Sequence, residues 1–127
     1  GRIIDMDNQK KQLFAMFYVM DKMPSVVVEA ATEDDAMKAF VNHVNTHATE
    51  FKSLFDFLDG NKLLTLEKCK IVGTNGVIPF ILDTDLTLDQ LIEKVQNRDE
   101  PLDFKITLDG IESGQAGVEK TDIFIHA

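Results

Sequence analysis

Apolar residues cluster along this chain in runs whose spacing changes from segment to segment. Leu13–Met20, Leu-Phe-Ala-Met-Phe-Tyr-Val-Met, is the longest uninterrupted apolar run. Its aromatic and β-branched content without alternation predicts a strand covered on both faces. Asp21-Lys22-Met23-Pro24 then reads as a turn, and Val26-Val27-Val28 as the heart of a second strand over 25–30. The spacing next becomes helical. Thr32 with Asp35 three residues on is a capping-box-like start, and Glu33, Asp34 and Asp35 lie where the helix dipole favours acids. Ala36, Met37, Phe40, Val41 and Val44 continue as one stripe. Phe51, Leu54, Phe55 and Leu58 predict a second helix from near Thr49, closed by Gly60-Asn61.

Leu64–Val72 and Val77–Leu82 follow as strand candidates, joined by the turn chemistry of Gly73-Thr74-Asn75-Gly76. Pro79 argues against a fully paired central position for the second of them. Thr87 with Gln90 forms another capping box, opening a helix through Leu88, Leu91, Ile92 and Val95. Asp103–Leu108 and Thr121–His126 alternate and predict two last strands. Between them Asp109–Lys120, with Gly110, Gly114 and Gly117, reads as a long mobile loop and a candidate for function. The order predicts an α+β fold: a single mainly antiparallel sheet of about six strands with two to three short amphipathic helices packed on it. Residues 1–12 read as a polar arm, and 13–127 as one domain.

At 127 residues and 44% apolar, the chain suits one core. No run approaches the roughly 18 consecutive apolar residues of a membrane span. The chain opens on Gly1 without a leader pattern; either Met6 is the initiator, which would make 1–5 foreign, or a protease trimmed a precursor. Cys69 stands alone, which excludes an internal disulfide and suits a reducing cytoplasm; between Lys68 and Lys70 in a strand it reads as a buried structural thiol. Charge is less even. The net charge is −9, and residues 83–127, with 11 acids against 4 bases, carry −7 of it. Such a surface disfavours nucleic acid and anionic lipid, and it favours either solubility alone or a basic partner.

Two motifs carry candidate chemistry. Phe80-Ile81-Leu82-Asp83-Thr84-Asp85-Leu86-Thr87, an apolar strand ending in Asp-x-Asp-x-Thr, resembles the first motif of the haloacid dehalogenase-like phosphatases. That resemblance implies Asp83 as nucleophile, Asp85 as general acid–base, a Mg²⁺ ion beside them and a doubly wound parallel sheet. Only 39 residues follow Leu88, fewer than the rest of such a domain needs. The simpler expectation is a polar turn before the helix that Thr87 caps. His43 and His47, one helical turn apart, have the spacing of two zinc ligands but lack a Glu at Val44 and a third ligand in sequence. A solvated helix border is expected there, and no metal or cofactor.

What remains is surface. Phe14, Met16, Tyr18 and Met20 share one face of the first strand, with Met23 nearby; three short helices cover two faces of a six-stranded sheet only with difficulty. Unless the third helix covers it, this face, together with Asp83, Asp85, Asp89, Glu93, Asp99, Glu100 and Asp103, is the expected partner-binding surface. The sequence therefore predicts a non-catalytic protein-interaction or assembly subunit that binds a protein partner or itself, but neither nucleic acid nor membrane. A phage or virus accessory or particle protein, in the cytoplasm or the virion, would suit. An acidic inhibitor occupying the nucleic-acid site of a basic protein is the alternative, and a small Mg²⁺-dependent phosphatase at Asp83 and Asp85 a third.

Overall fold

A computed structural model describes residues 10–18, 25–51 and 77–127. The long apolar run folds as strand β1 (Gln12–Tyr18) and the valine cluster as β2 (Val26–Ala30). They pair antiparallel, Phe14 opposite Val28 and Met16 opposite Val26. Every residue of β2 is buried, so neither sequence alternates: both faces of these strands are covered.

Helix α1 (Glu33–Thr46) begins at its expected cap, the Asp35 amide donating to Thr32 Oγ1 at 3.1 Å. Its stripe of Ala36, Met37, Phe40 and Val44 is buried over Phe14, Met16, Val26 and Val28. A 3-10 turn, Ala48–Phe51, follows, and Phe51 meets Phe40 edge-on at 6.3 Å. The rest of the second expected helix, the strand expected over 64–72 with Cys69, and the link to the next strand lie outside the described residues.

Strand β3 (Val77–Leu82) pairs antiparallel with β1 from Val77 to Ile81, but with β4 (Leu102–Leu108) only at Ile81 and Leu82. The half of β3 that carries Pro79 therefore has a ladder on one side only, where a strand proline is tolerated. Helix α2 (Leu88–Gln96) opens with a complete capping box: the Gln90 amide donates to Thr87 Oγ1 at 3.2 Å and the Thr87 amide to Gln90 Oε1 at 2.9 Å. It buries Leu88, Leu91 and Val95 on the opposite side of the sheet from α1, against Leu13, Val27 and Leu82.

Each helix thus covers one face. Phe14 and Met16, 1% and 5% exposed, lie under α1, which corrects the expectation that their face is left for a partner. One 14-residue helix laid along β1 and β2 is enough to shield it. The side chain of Tyr18, and Met20 and Met23, lie outside the described residues.

A second correction concerns the expected loop. Asp109 and Gly110, at φ 53° and 80°, form a two-residue hairpin turn, and Ile111–Val118 returns along β4 as strand β5. Pairing slips between Ile106 and Thr107, leaving Ser113 unmatched and Gly114 at φ 118°, a bulge that bends the strand. Strand β6 (Ile123–His126) then runs parallel to β2 at the far edge. Among the described residues the result is an α+β fold with one mixed sheet of six strands, ordered β5-β4-β3-β1-β2-β6, and two helices. All neighbours but β2 and β6 are antiparallel.

The order carries a geometric demand. β5 and β6 are opposite edges, about 24 Å apart if the sheet were flat. Yet only residues 119–122 join them, a stretch that reaches about 18 Å when fully extended. Here it is also turned back, the Asp122 amide donating to the Glu119 carbonyl at 3.0 Å. The sheet must therefore curl, and the β4–β5 hairpin arches across the α2 side toward β2.

Candidate functional site

The curl does not close completely. Where β5 comes over the ends of β1 and β2, it leaves a groove of about 460 Å³, within the range of sites that hold a small ligand or a few side chains. One wall is β1 and β2, with Ala15, Phe17 and Val27; Phe80 and Ile106 form the apolar floor; the other wall is β5 from Ser113 to Val118. Phe17 is 49% exposed and stands edge-on to Phe80 at 5.9 Å, so an aromatic pair is held at the mouth with one ring uncovered.

The polar groups are few: Ser25, Ser113, Gln115 and Asp122. Burial raises the Asp122 pKa above its ordinary value; the Glu119 amide, donating to Asp122 Oδ2 at 3.0 Å, opposes this, and the charge of Glu119 adds to it. Lys120, two residues away, reaches Asp99 instead at 3.2 Å. Among the described residues no cation pairs with the Asp122 carboxylate.

A second polar cluster lies at the start of α2. Glu29, the one acid of β2, is buried and points to the α2 side. Its Oε2 accepts from the Leu88 amide at 2.8 Å, filling one of the unpaired donors of the helix N-terminus. Its Oε1 lies 3.2 Å from His126 Nδ1, and His126 Nε2 lies 3.1 Å from Asp89 Oδ1. One imidazole thus bridges two carboxylates and clasps β2, β6 and α2 together.

The sequence-level candidates fall in other places. Asp83 and Asp85 are exposed in the turn between β3 and α2, and Asp85 pairs with Lys10 at 3.1 Å. The strand before them is antiparallel to both neighbours, which removes the doubly wound parallel sheet the phosphatase resemblance implies. His43 and His47 stack face to face, centroids 4.1 Å apart and planes 20° from parallel. His47 Nδ1 turns to the His43 carbonyl at 3.0 Å, while His43 Nε2 is buried beside the edge-on Phe51 with no hydrogen-bond partner among the described residues. Burial first, and then His47, lower the His43 pKa; Glu50 opposes them. Among the described residues no group of three or more His, Cys, Asp or Glu side chains could hold a metal ion.

The acids of the partner-binding expectation are all exposed, but they are dispersed. Asp89 and Glu93 share α2, Asp99 and Glu100 follow it, and Asp103 lies on β4 beside Gly117. Asp89 is engaged by His126 and Asp99 by Lys120. The structure does not gather them into one surface with Phe14 and Met16. Phe17, Phe80, Ile106 and Asp122 were not singled out from sequence. The available signal was the Asp109-Gly110 pair, which makes a strand of β5 and so builds the groove wall. No helix among the described residues is long and apolar enough to cross a membrane.

The fold and site define an α+β chain whose curled sheet holds a ligand-sized apolar groove. No protein-family model matches the chain, and comparison with curated proteins and with solved structures finds no match.

Proposed function

We propose that this chain is a non-catalytic protein-interaction subunit that binds other protein in the groove between β5 and the ends of β1 and β2. The observation that carries the reading is the Phe17–Phe80 pair, with the Phe17 ring half exposed, in a concave apolar site of about 460 Å³. Aromatic rings held in a pocket are the usual anchors of protein interfaces. The net charge of −9, concentrated in residues 83–127, steers basic partners toward this side and repels phosphate backbones.

The test is comparative capture. Wild-type chain and Phe17→Ser, matched for circular dichroism and melting, are used as bait in extracts of the source. Because Phe17 is half exposed, its replacement leaves the fold standing. Proteins retained by the wild type and lost from the variant support the reading. Equal retention by both, or retention of nothing, removes it.

A further inference from the structure

The groove has a feature that apolar contact alone does not use. Its β5 wall includes Ser113, Gln115, Ala116, Gly117 and Val118. Residues of both parities are present, and alternate residues of a strand point to opposite faces. The groove therefore runs along the edge of β5. Among the described residues β5 pairs only with β4, so its other edge offers a row of backbone donors and acceptors. Proteins usually guard such an edge with charged residues, Pro or a bulge; Glu112 and the bulge at Ser113–Gly114 guard the first half of β5, while Gln115–Val118 carries none of these.

We propose that the groove receives an extended segment of another protein, which adds as a strand to the open edge of β5 over Gln115–Val118 and places a Lys or Arg against Asp122. This rests on the groove being the protein-binding site and specifies how it binds. Backbone pairing selects a polypeptide over a lipid or a small molecule, because only an extended chain repeats donors and acceptors at strand spacing. Alternate side chains of the incoming strand would enter toward Phe17, Phe80 and Ile106, so the partner carries apolar residues at every second position. The charge of the occupant follows from Asp122, a half-buried carboxylate that among the described residues receives only the Glu119 amide. A cation there relieves its desolvation. A second copy of the chain, itself at −9, is electrostatically disfavoured as the occupant.

A random peptide-display library selected on the full chain tests this directly. The expected winners alternate apolar residues with period two and carry one Lys or Arg; winners with helical spacing or net acidity overturn the proposal. Three further readouts use the winning peptide. N-methylation of the amides on its paired edge weakens binding by about tenfold or more, while methylation on the opposite edge does not. Amide exchange slows at Gln115–Val118 on binding. Asp122→Asn weakens a Lys-bearing winner but not its Lys→norleucine analogue.

Failure modes are separable. If Phe17→Ser abolishes binding while backbone methylation has no effect, the groove binds protein but not by strand addition. If Phe17→Ser has no effect, the groove reading itself falls. An empty selection, or self-association by light scattering that saturates the groove, overturns the proposal.

Discussion

His43 shows how a helix-border residue acquires a pH signature from its neighbours. It stands on α1 against His47, stacked at 4.1 Å, and against the edge of Phe51, with Glu50 as the opposing charge. Burial is the largest cause and lowers its pKa from the ordinary 6.5. The folded state therefore holds a proton there less well than the unfolded chain. Stability from this group is fully present above about pH 6.5 and is lost as pH falls through that value and then through the lower folded one. Urea titrations of wild type and His43→Leu at several pH values check it: the wild type should lose ground to the variant as the solution is acidified. A gap that stays constant with pH would remove the assignment, as would a nuclear magnetic resonance midpoint for His43 above 6.5. The His43/His47 spacing was readable from sequence, but the stacking was not, since one helical turn equally allows two rings to diverge.

Among elements, the joint of β2, α2 and β6 depends on one carboxylate. Glu29 caps the Leu88 amide at 2.8 Å and meets His126 at 3.2 Å while remaining buried. Glu29→Ala leaves a buried amide without an acceptor, an expected loss of roughly 1–3 kcal/mol in urea unfolding. Glu29→Gln keeps a carbonyl for Leu88 and should lose clearly less. Equal losses would show that packing volume, not acceptance, sets the effect. Sequence pattern resolved the elements themselves better than their joints. β1, β2 and both helix starts follow from the apolar run, the valines and the caps at Thr32 and Thr87, all local signals. β5 was missed because Ile-Glu-Ser-Gly-Gln-Ala-Gly-Val has little apolar alternation. Pairing with β4 and the positive-φ turn at Asp109-Gly110 make it a strand, overriding weak propensity. The groove was unreadable for the same reason: one wall is β5, and the other faces it only after the sheet curls.

At the scale of the whole molecule, the question is what holds the curl that creates the groove. Two devices are present. The connection over residues 119–122 tethers the two sheet edges, with the Glu119 amide bound by Asp122 Oδ2 at 3.0 Å. Val118, 1% exposed, is packed among Val27, Leu88 and Leu91 at the end of β5. Doubling the tether with Gly-Ser residues between Lys120 and Thr121 adds loop-closure entropy of roughly 0.6 kcal/mol and loosens the exposed Glu119–Asp122 turn. Val118→Ala removes buried methyl groups and leaves a void, an expected loss of about 2 kcal/mol. If packing holds the curl, the lengthened tether leaves melting almost unchanged and the Phe17 groove intact. Val118→Ala then both destabilises the chain and raises its binding of an apolar dye, because the hairpin lifts from the α2 side. If the tether holds it instead, the insertion alone raises dye binding while Val118→Ala does not. The magnitudes favour packing, so the groove should survive a longer connection. The fold would then use its short link to choose which edge meets which, and its core to keep them there.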